Sequence, residues 1–378
     1  MQKDKYTHDL SLSDSEKMKT TVQLKKSENR SDIKIIEDED ISFIIQGNIN
    51  HEITPKTIQS IRKFFPKAEI VLSTYIGADV AGLDYDKIAL IEDPGCYYYY
   101  DSEENDGREK PKEHNLNRQI QTTLAGLKIS SKKYAFKIRT DFILTGKEFL
   151  YFFDTFSEAD QEYKVFEHKI LSCAFFARNP RKEKPLSFHP SDIAFFGFRE
   201  DLLKLFDVPL MTKDESLFYK EKEKILPRYT PEQHIWVNCL LKNGKEINFR
   251  HQRDENEKTA SDTEKYTVSN FIYLEWEQFS LMPPNHLRVF TRNDFLDVIT
   301  HVEWQQLYQR YLEPSLAVPR KDATRNSINK KILHLKFYTF LAKLCTIFFF
   351  GGKSLQRLRK EKRKKLLQYL TRNILFPK

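Results

Sequence analysis

The sequence predicts an α/β protein built on a mainly parallel sheet flanked by helices, and three observations carry that expectation. Short apolar runs recur at Ile41–Ile45, Ala68–Ser73, Lys87–Ile91 and Tyr134–Ile138, each of strand length. Helical stripes stand between them, and turn-forming Gly, Pro and Asn punctuate the junctions. Strands alternating with helices favour parallel pairing, because a crossover helix is what returns the chain to the same edge of a sheet.

Taken in order, Ile41, Phe43, Ile44 and Ile45 form the first buried strand, stopped by Gln46-Gly47-Asn48. Thr54-Pro55 reads as an N-cap followed by Pro at the first helical position, and Ile58, Ile61, Phe64 and Phe65 supply the apolar face of a helix ending at Pro66. Two strands follow at 68–73 and 87–91. Residues 92–113 lack either periodicity and carry Pro, Gly and many acids, which predicts a long surface loop. Asn115–Lys128 places Leu116, Ile120, Leu124 and Leu127 on one helical face, and Tyr134–Ile138 runs as a strand into Arg139-Thr140-Asp141. Beyond it, strands are expected at 170–176 and 193–198, and helices at 199–206 and 231–242.

Composition narrows the class. With 40% hydrophobic and 31% charged residues, the 378-residue chain is of the globular type. Cys96, Cys173, Cys239 and Cys345 lie far apart with no zinc-type spacing, which argues against a disulfide framework or structural zinc and for a reducing compartment. Residues 1–38 read as a flexible polar arm with no apolar segment of a secretory signal. The net charge of +8 is uneven: residues 320–378 hold 17 Lys or Arg against two acids, a local +15, which leaves about −7 for the rest. An apolar stretch at 337–350, too short to span a bilayer, precedes the basic run 357–365. That pairing suits a membrane interface carrying anionic headgroups better than a nucleic acid, since no base-reading motif accompanies it; an ordinary amphipathic helix closing the fold, its charges simply solvated, is the plainer reading.

Several stretches resemble one family in order and spacing: Ile41–Gly47, Glu69–Thr74, Glu92–Gly95, Asn117–Leu127, Tyr134–Asp141, Ser191–Phe198, Asp201–Phe206 and Pro231–Gln233. Over residues 40–245 the chain is similar to the WavE family of lipopolysaccharide-synthesis proteins. The resemblance implies a GT-A-like, Rossmann-type glycosyltransferase domain over 39–317, with a nucleotide-binding half (39–145) and an acceptor half (146–317), followed by a basic amphipathic tail (318–378). It further implies a nucleotide-sugar donor, a lipid-linked or oligosaccharide acceptor of lipopolysaccharide, lipooligosaccharide or capsule, and a place on the inner face of the cytoplasmic membrane. Two rival readings carry different signatures: a catalytically degenerate scaffold of the same pathway, or a protein whose basic tail binds nucleic acid.

A sugar transferase must hold a diphosphate and stabilise it as it leaves, with a divalent metal such as Mn²⁺ or Mg²⁺ or with fixed cations. GT-A enzymes present Asp-x-Asp for the metal, whereas this chain has Arg139-Thr140-Asp141. Asp141 is therefore the candidate metal or ribose ligand, and Arg139 a bidentate phosphate ligand. An Arg-Asp pair closing a strand end is the plainer reading of the same residues. Gln46 and Gly47 end the first strand where a nucleotide passes a sheet edge, and Asn117, Arg118 and Gln119 open a helix whose first turn favours anions. Asp192 and Glu232 are the candidate general bases for an inverting transfer; a turn or cap role for Asp192 and a helix-dipole role for Glu232 are their structural counterparts. Nothing in the sequence selects among His189, His251 and His286, and Tyr97–Tyr100 suit either stacking on a ligand or anchoring the loop.

Overall fold

The computed structural model describes residues 36–340, apart from 100–111, 183–184, 222–223, 285–296, 324, 327–328, 331–332, 335 and 338–339. All that follows belongs to the unit Asp38–Lys378. Residues 1–35 of the expected arm, His286 and most of the basic tail lie outside the described residues, while Asp38, at the arm's expected end, already pairs with Lys147.

The chain lays down β1 (Ile41–Gln46), α1 (Thr54–Phe64), β2 (Glu69–Tyr75), β3 (Lys87–Ile91), α2 (Leu116–Ile129) and β4 (Tyr134–Arg139). It continues with β5 (Ile170–Cys173), β6 (Phe195–Phe198), α3 (Arg199–Phe206), α4 (Pro231–Lys242), α5 (Glu257–Asn270), β7 (Phe271–Leu274) and α6 (His301–Tyr311). The seven strands form one sheet in the order β7-β5-β6-β4-β1-β2-β3. Neighbours are parallel except at β6, which runs against both β4 and β5. This is the GT-A-like, mainly parallel architecture the sequence predicts, and the two expected halves share its single sheet.

Every residue of β1 is buried, as a central strand covered on both faces requires. On one face Phe43 stacks on Phe136 (centroids 5.0 Å apart) and meets Phe65, just past the end of α1. Phe149, Phe196 and Phe279 close round Phe136 and continue that cluster. On the other face α2 packs on β1, β2 and β3, and Gly126 lies so close that a Cβ there would sit 2.4 Å from Ile44 Cγ2. Glycine is what lets the helix approach the sheet.

At the amino edge, buried Glu69 ties three segments together. It accepts hydrogen bonds from Ser42 Oγ (2.5 Å), Ser131 N (2.9 Å) and Ser131 Oγ (2.7 Å), and Lys87 Nζ lies 2.8 Å away. Burial pushes its pKa up, but the Lys87, Ser42 and Ser131 contacts outweigh burial and bring it down to about 2 from 4.5. A depressed carboxylate stabilises the fold fully above its unfolded pKa, and that contribution is lost as pH falls through the folded value. The urea midpoint should therefore decline between about pH 4.5 and pH 2, and Glu69→Gln should flatten that part of the curve.

Some local expectations shift. Thr54 is the first helical residue rather than the cap; Asn50 Oδ1 accepts from the amides of Glu52 and Ile53. Part of the expected 92–113 loop is a ribbon, Tyr97–Tyr99 pairing antiparallel with Lys112–His114. The strands expected at 170–176 and 193–198 are shorter, and α5, β7 and α6 had no sequence expectation at all.

Candidate functional site

The direction of strand order reverses at β1. From it the chain moves outward through β2 and β3, then crosses back to β4 on β1's other side. Helices diverge at such a point, leaving a crevice outside the strands' carboxyl ends. Gln46 ends β1 and Arg139 ends β4, and the two are register partners.

Gln46 is buried and its Oε1 accepts from Thr122 Oγ1 of α2 at 2.9 Å. Gly47 turns the chain away with φ of +118°, a conformation open to glycine, while its amide donates to Ser73 O (3.1 Å). Next to it, Arg139 forks onto Asp141: Nε to Oδ1 at 2.9 Å and an Nη to Oδ2 at 2.8 Å. Burial alone would lower the Arg139 pKa, but Asp141 more than reverses this and keeps the guanidinium charged. Both Asp141 oxygens are thus held by Arg139, and among the described residues no group of three His, Cys, Asp or Glu gathers that could hold a metal ion. In this arrangement Asp141 offers no free oxygen to a divalent ion, and the charge beside it is Arg139's own.

The opening of α2 is used differently from a phosphate cradle. Asn117 is spent on the backbone of Met211, donating from Nδ2 to its carbonyl (2.9 Å) and accepting from its amide (2.8 Å). Arg118 forks onto Asp93 with two bonds of 2.7 Å and donates a third to Asn115 Oδ1. It clamps the loop after β3 to α2. Gln119 Nε2 reaches the main-chain carbonyl of Asp192 at 3.2 Å.

Asp192 shows why β6 matters. Because that strand runs against its neighbours, the segment entering it, not leaving it, lies at the carboxyl edge of β4. Asp192 therefore arrives at the crevice three residues before Phe195 starts the strand. Glu232 arrives from the first turn of α4, a helix set by a capping box between Thr230 and Gln233. Glu232 is 13% exposed and its Oε2 lies 3.3 Å from Nε2 of buried His189, whose Nδ1 finds no hydrogen-bond partner among the described residues.

The two carboxylates influence each other and their proton affinities part. Burial raises the Asp192 pKa and the Glu232 charge raises it further, against the opposing pull of Lys137, Arg139 and Gln119. Burial also acts upward on Glu232, but His189 and Arg178 outweigh it and hold the group below the ordinary glutamate value. A pair split this way contains one carboxylate that stays charged and one poised to take a proton.

Sequence reading missed Lys137. It is fully buried in β4, and its amine donates to the main-chain carbonyls of Asp192 and, at 3.3 Å, Ile193. Burial brings its pKa down to about 8 although Asp192 pulls it upward. The signal was present in the sequence as a lone charge inside the apolar run Tyr134–Ile138. His114 lies within electrostatic reach of Glu232 and His234; burial lowers both histidines' pKa values, His114 to about 4.

No helix of the described residues is long and apolar enough to cross a membrane. Among curated proteins, none matches the chain. A family model does, over residues 41–337, from the first strand to beyond α6. The chain belongs to the WavE lipopolysaccharide synthesis family.

Proposed function

We propose that the protein transfers a glycosyl group from a nucleotide sugar to a hydroxyl of a growing lipopolysaccharide, lipooligosaccharide or capsule glycan, working at the cytoplasmic face of the inner membrane. What supports this most is the convergence, at the switch-point crevice, of a carboxylate pair with split proton affinity and a forked cation: Asp192, Glu232 and Arg139. Binding alone has no need for a carboxylate held ready to accept a proton, whereas an inverting transfer does.

In this reading the nucleoside follows the edge marked by Gln46 and Gly47, and Arg139 leaves Asp141 to fork onto the donor diphosphate. Asp192 accepts the acceptor hydroxyl's proton as its oxygen bonds to the anomeric carbon. The bond from that carbon to the diphosphate oxygen breaks, and the nucleoside diphosphate departs with the electron pair. Glu232 stays charged through His189 and keeps Asp192 basic.

Calorimetry of the purified chain against nucleoside diphosphates, CMP and nucleotide sugars, each with and without Mn²⁺ or Mg²⁺, tests the reading. One nucleotide class should bind selectively, and Arg139→Ala should weaken it by roughly ten-fold or more, as loss of a forked charged contact does. A metal requirement would restore Asp141 as a ligand. Binding without transfer to any acceptor would favour the scaffold reading, and no nucleotide binding at all would overturn the transferase.

A further inference from the structure

After α6 the chain turns at 312–322 and the described residues from 323 to 340 are helical. This segment is rooted in the body. Arg325 forks onto Glu303 of α6 (3.0 and 2.7 Å) and also donates to the Val298 carbonyl, while Asp322 accepts from Thr300 Oγ1 (2.5 Å) and from the Arg325 amide (2.7 Å). Glu303 is drawn down in pKa mainly by Arg325 and Lys182, against burial, so the root is a charged junction rather than a loose joint.

Beyond that root the helix presents apolar groups to solvent. Leu333 is 66% exposed, and Phe337 and Phe340 are each 55% exposed. Spaced i, i+4 and i+7, the three share one helical face. Lys330, His334 and Lys336 are exposed on the same stretch, and 17 Lys or Arg against two acids follow Pro319 to the last residue. Three large apolar side chains, each more than half exposed on a strongly cationic segment, mark a surface that a further apolar phase can cover.

We propose that the face formed by Leu333, Phe337 and Phe340 inserts into the headgroup boundary of an anionic bilayer, with the flanking lysines and arginines on its phosphates. The charge decides among occupants. A second copy of this segment would bring +15 against +15, whereas an anionic lipid surface supplies the opposite sign along the whole stretch. The inference rests on the transferase reading only for its purpose, which is to hold the crevice near a lipid-borne acceptor; the contact itself can fail or succeed independently.

The test is co-sedimentation of the full chain with vesicles of phosphatidylcholine alone or with phosphatidylglycerol added, at low and high salt. The parent should bind the anionic vesicles, lose much of that binding at high salt, and bind neutral vesicles weakly. The L333E/F337E/F340E variant should bind anionic vesicles about ten-fold or more less tightly, since it replaces the inserting groups with charges the surface repels. Its melting temperature and nucleotide affinity should match the parent, which separates lost contact from lost fold and leaves the transferase reading standing on its own. Equal binding by parent and variant, no binding by the parent, or a concentration-dependent dimer that the variant abolishes would each overturn the proposal.

Discussion

Asp192→Asn should lower the turnover number by about 10²- to 10⁴-fold, the usual worth of a positioned general base, while donor affinity stays close to that of the parent. The amide keeps the side chain's volume and an oxygen that can accept from Gln119, and the bonds from Lys137 and Gln119 to the main-chain carbonyl do not involve the carboxylate. The sharper evidence would come from pH profiles of two neighbours. Glu232's charge raises the Asp192 pKa, so Glu232→Gln should move the acidic limb of kcat/KM to lower pH. Lys137's charge acts oppositely, so Lys137→Met should move the same limb to higher pH. Opposite displacements by two residues flanking one group would identify that group as Asp192. If Glu232→Gln instead loses more turnover than Asp192→Asn, Glu232 is the base and the roles exchange.

The second large effect is on stability and arises away from the chemistry. Phe136 is fully buried in β4 and packs against Phe43, Phe149 and Phe279 with ring centroids 5.0 to 5.4 Å apart. Phe136→Ala should cost about 3–5 kcal/mol, the sum of lost transfer energy and the cavity left among rigid rings. The urea midpoint should fall with the slope m unchanged. Since Phe136 lies three residues before Arg139 on the same strand, donor binding should weaken before the protein unfolds. A loss below about 1 kcal/mol would mean the aromatic cluster repacks, which a set of interlocked rings resists.

How far the sequence foretold this depends on the kind of residue involved. α3, α4 and β3 fall on the residues expected for them, because each is a clear apolar period bounded by a turn, cap or charge. α5 was illegible for the opposite reason. Its buried positions include Thr259, Thr263, Thr267, Ser269 and Asn270, so a helix that packs inside carries no apolar stripe. Asn270 shows what such residues do, with Oδ1 accepting the amides of Val165 and Phe166 and Nδ2 donating to Tyr163 O. β7, only four residues long, offers too little sequence for a period.

The site divides along similar lines. The placement of Gln46, Gly47 and Arg139 at the sheet's carboxyl edge was legible because parallel sheets fix where strand carboxyl ends go. Asp192 and Glu232 were named singly, but their association needed the reversed direction of β6, which no local pattern announces. Arg118 and Asn117 looked like ligands because a helix's first turn attracts anions; Asp93 and the Met211 backbone answer that attraction from within the chain. His189 stood among three equivalent histidines until Glu232 appeared 3.3 Å away.

The Arg139–Asp141 fork has a consequence for the rhythm of the proposed cycle. Asp141 already holds, through both of its oxygens, the guanidinium that the proposed cycle gives to the donor diphosphate. Donor entry is then an exchange of counter-ions rather than the filling of a void, and part of the guanidinium's attraction is already satisfied before the substrate arrives. The same tether works in reverse after transfer: as the nucleoside diphosphate loosens, the covalently attached carboxylate is present at high local concentration and reclaims the cation. Such a built-in competitor trades ground-state affinity for faster departure of the product. In the proposed cycle, that exchange favours keeping the crevice clear over holding any one occupant.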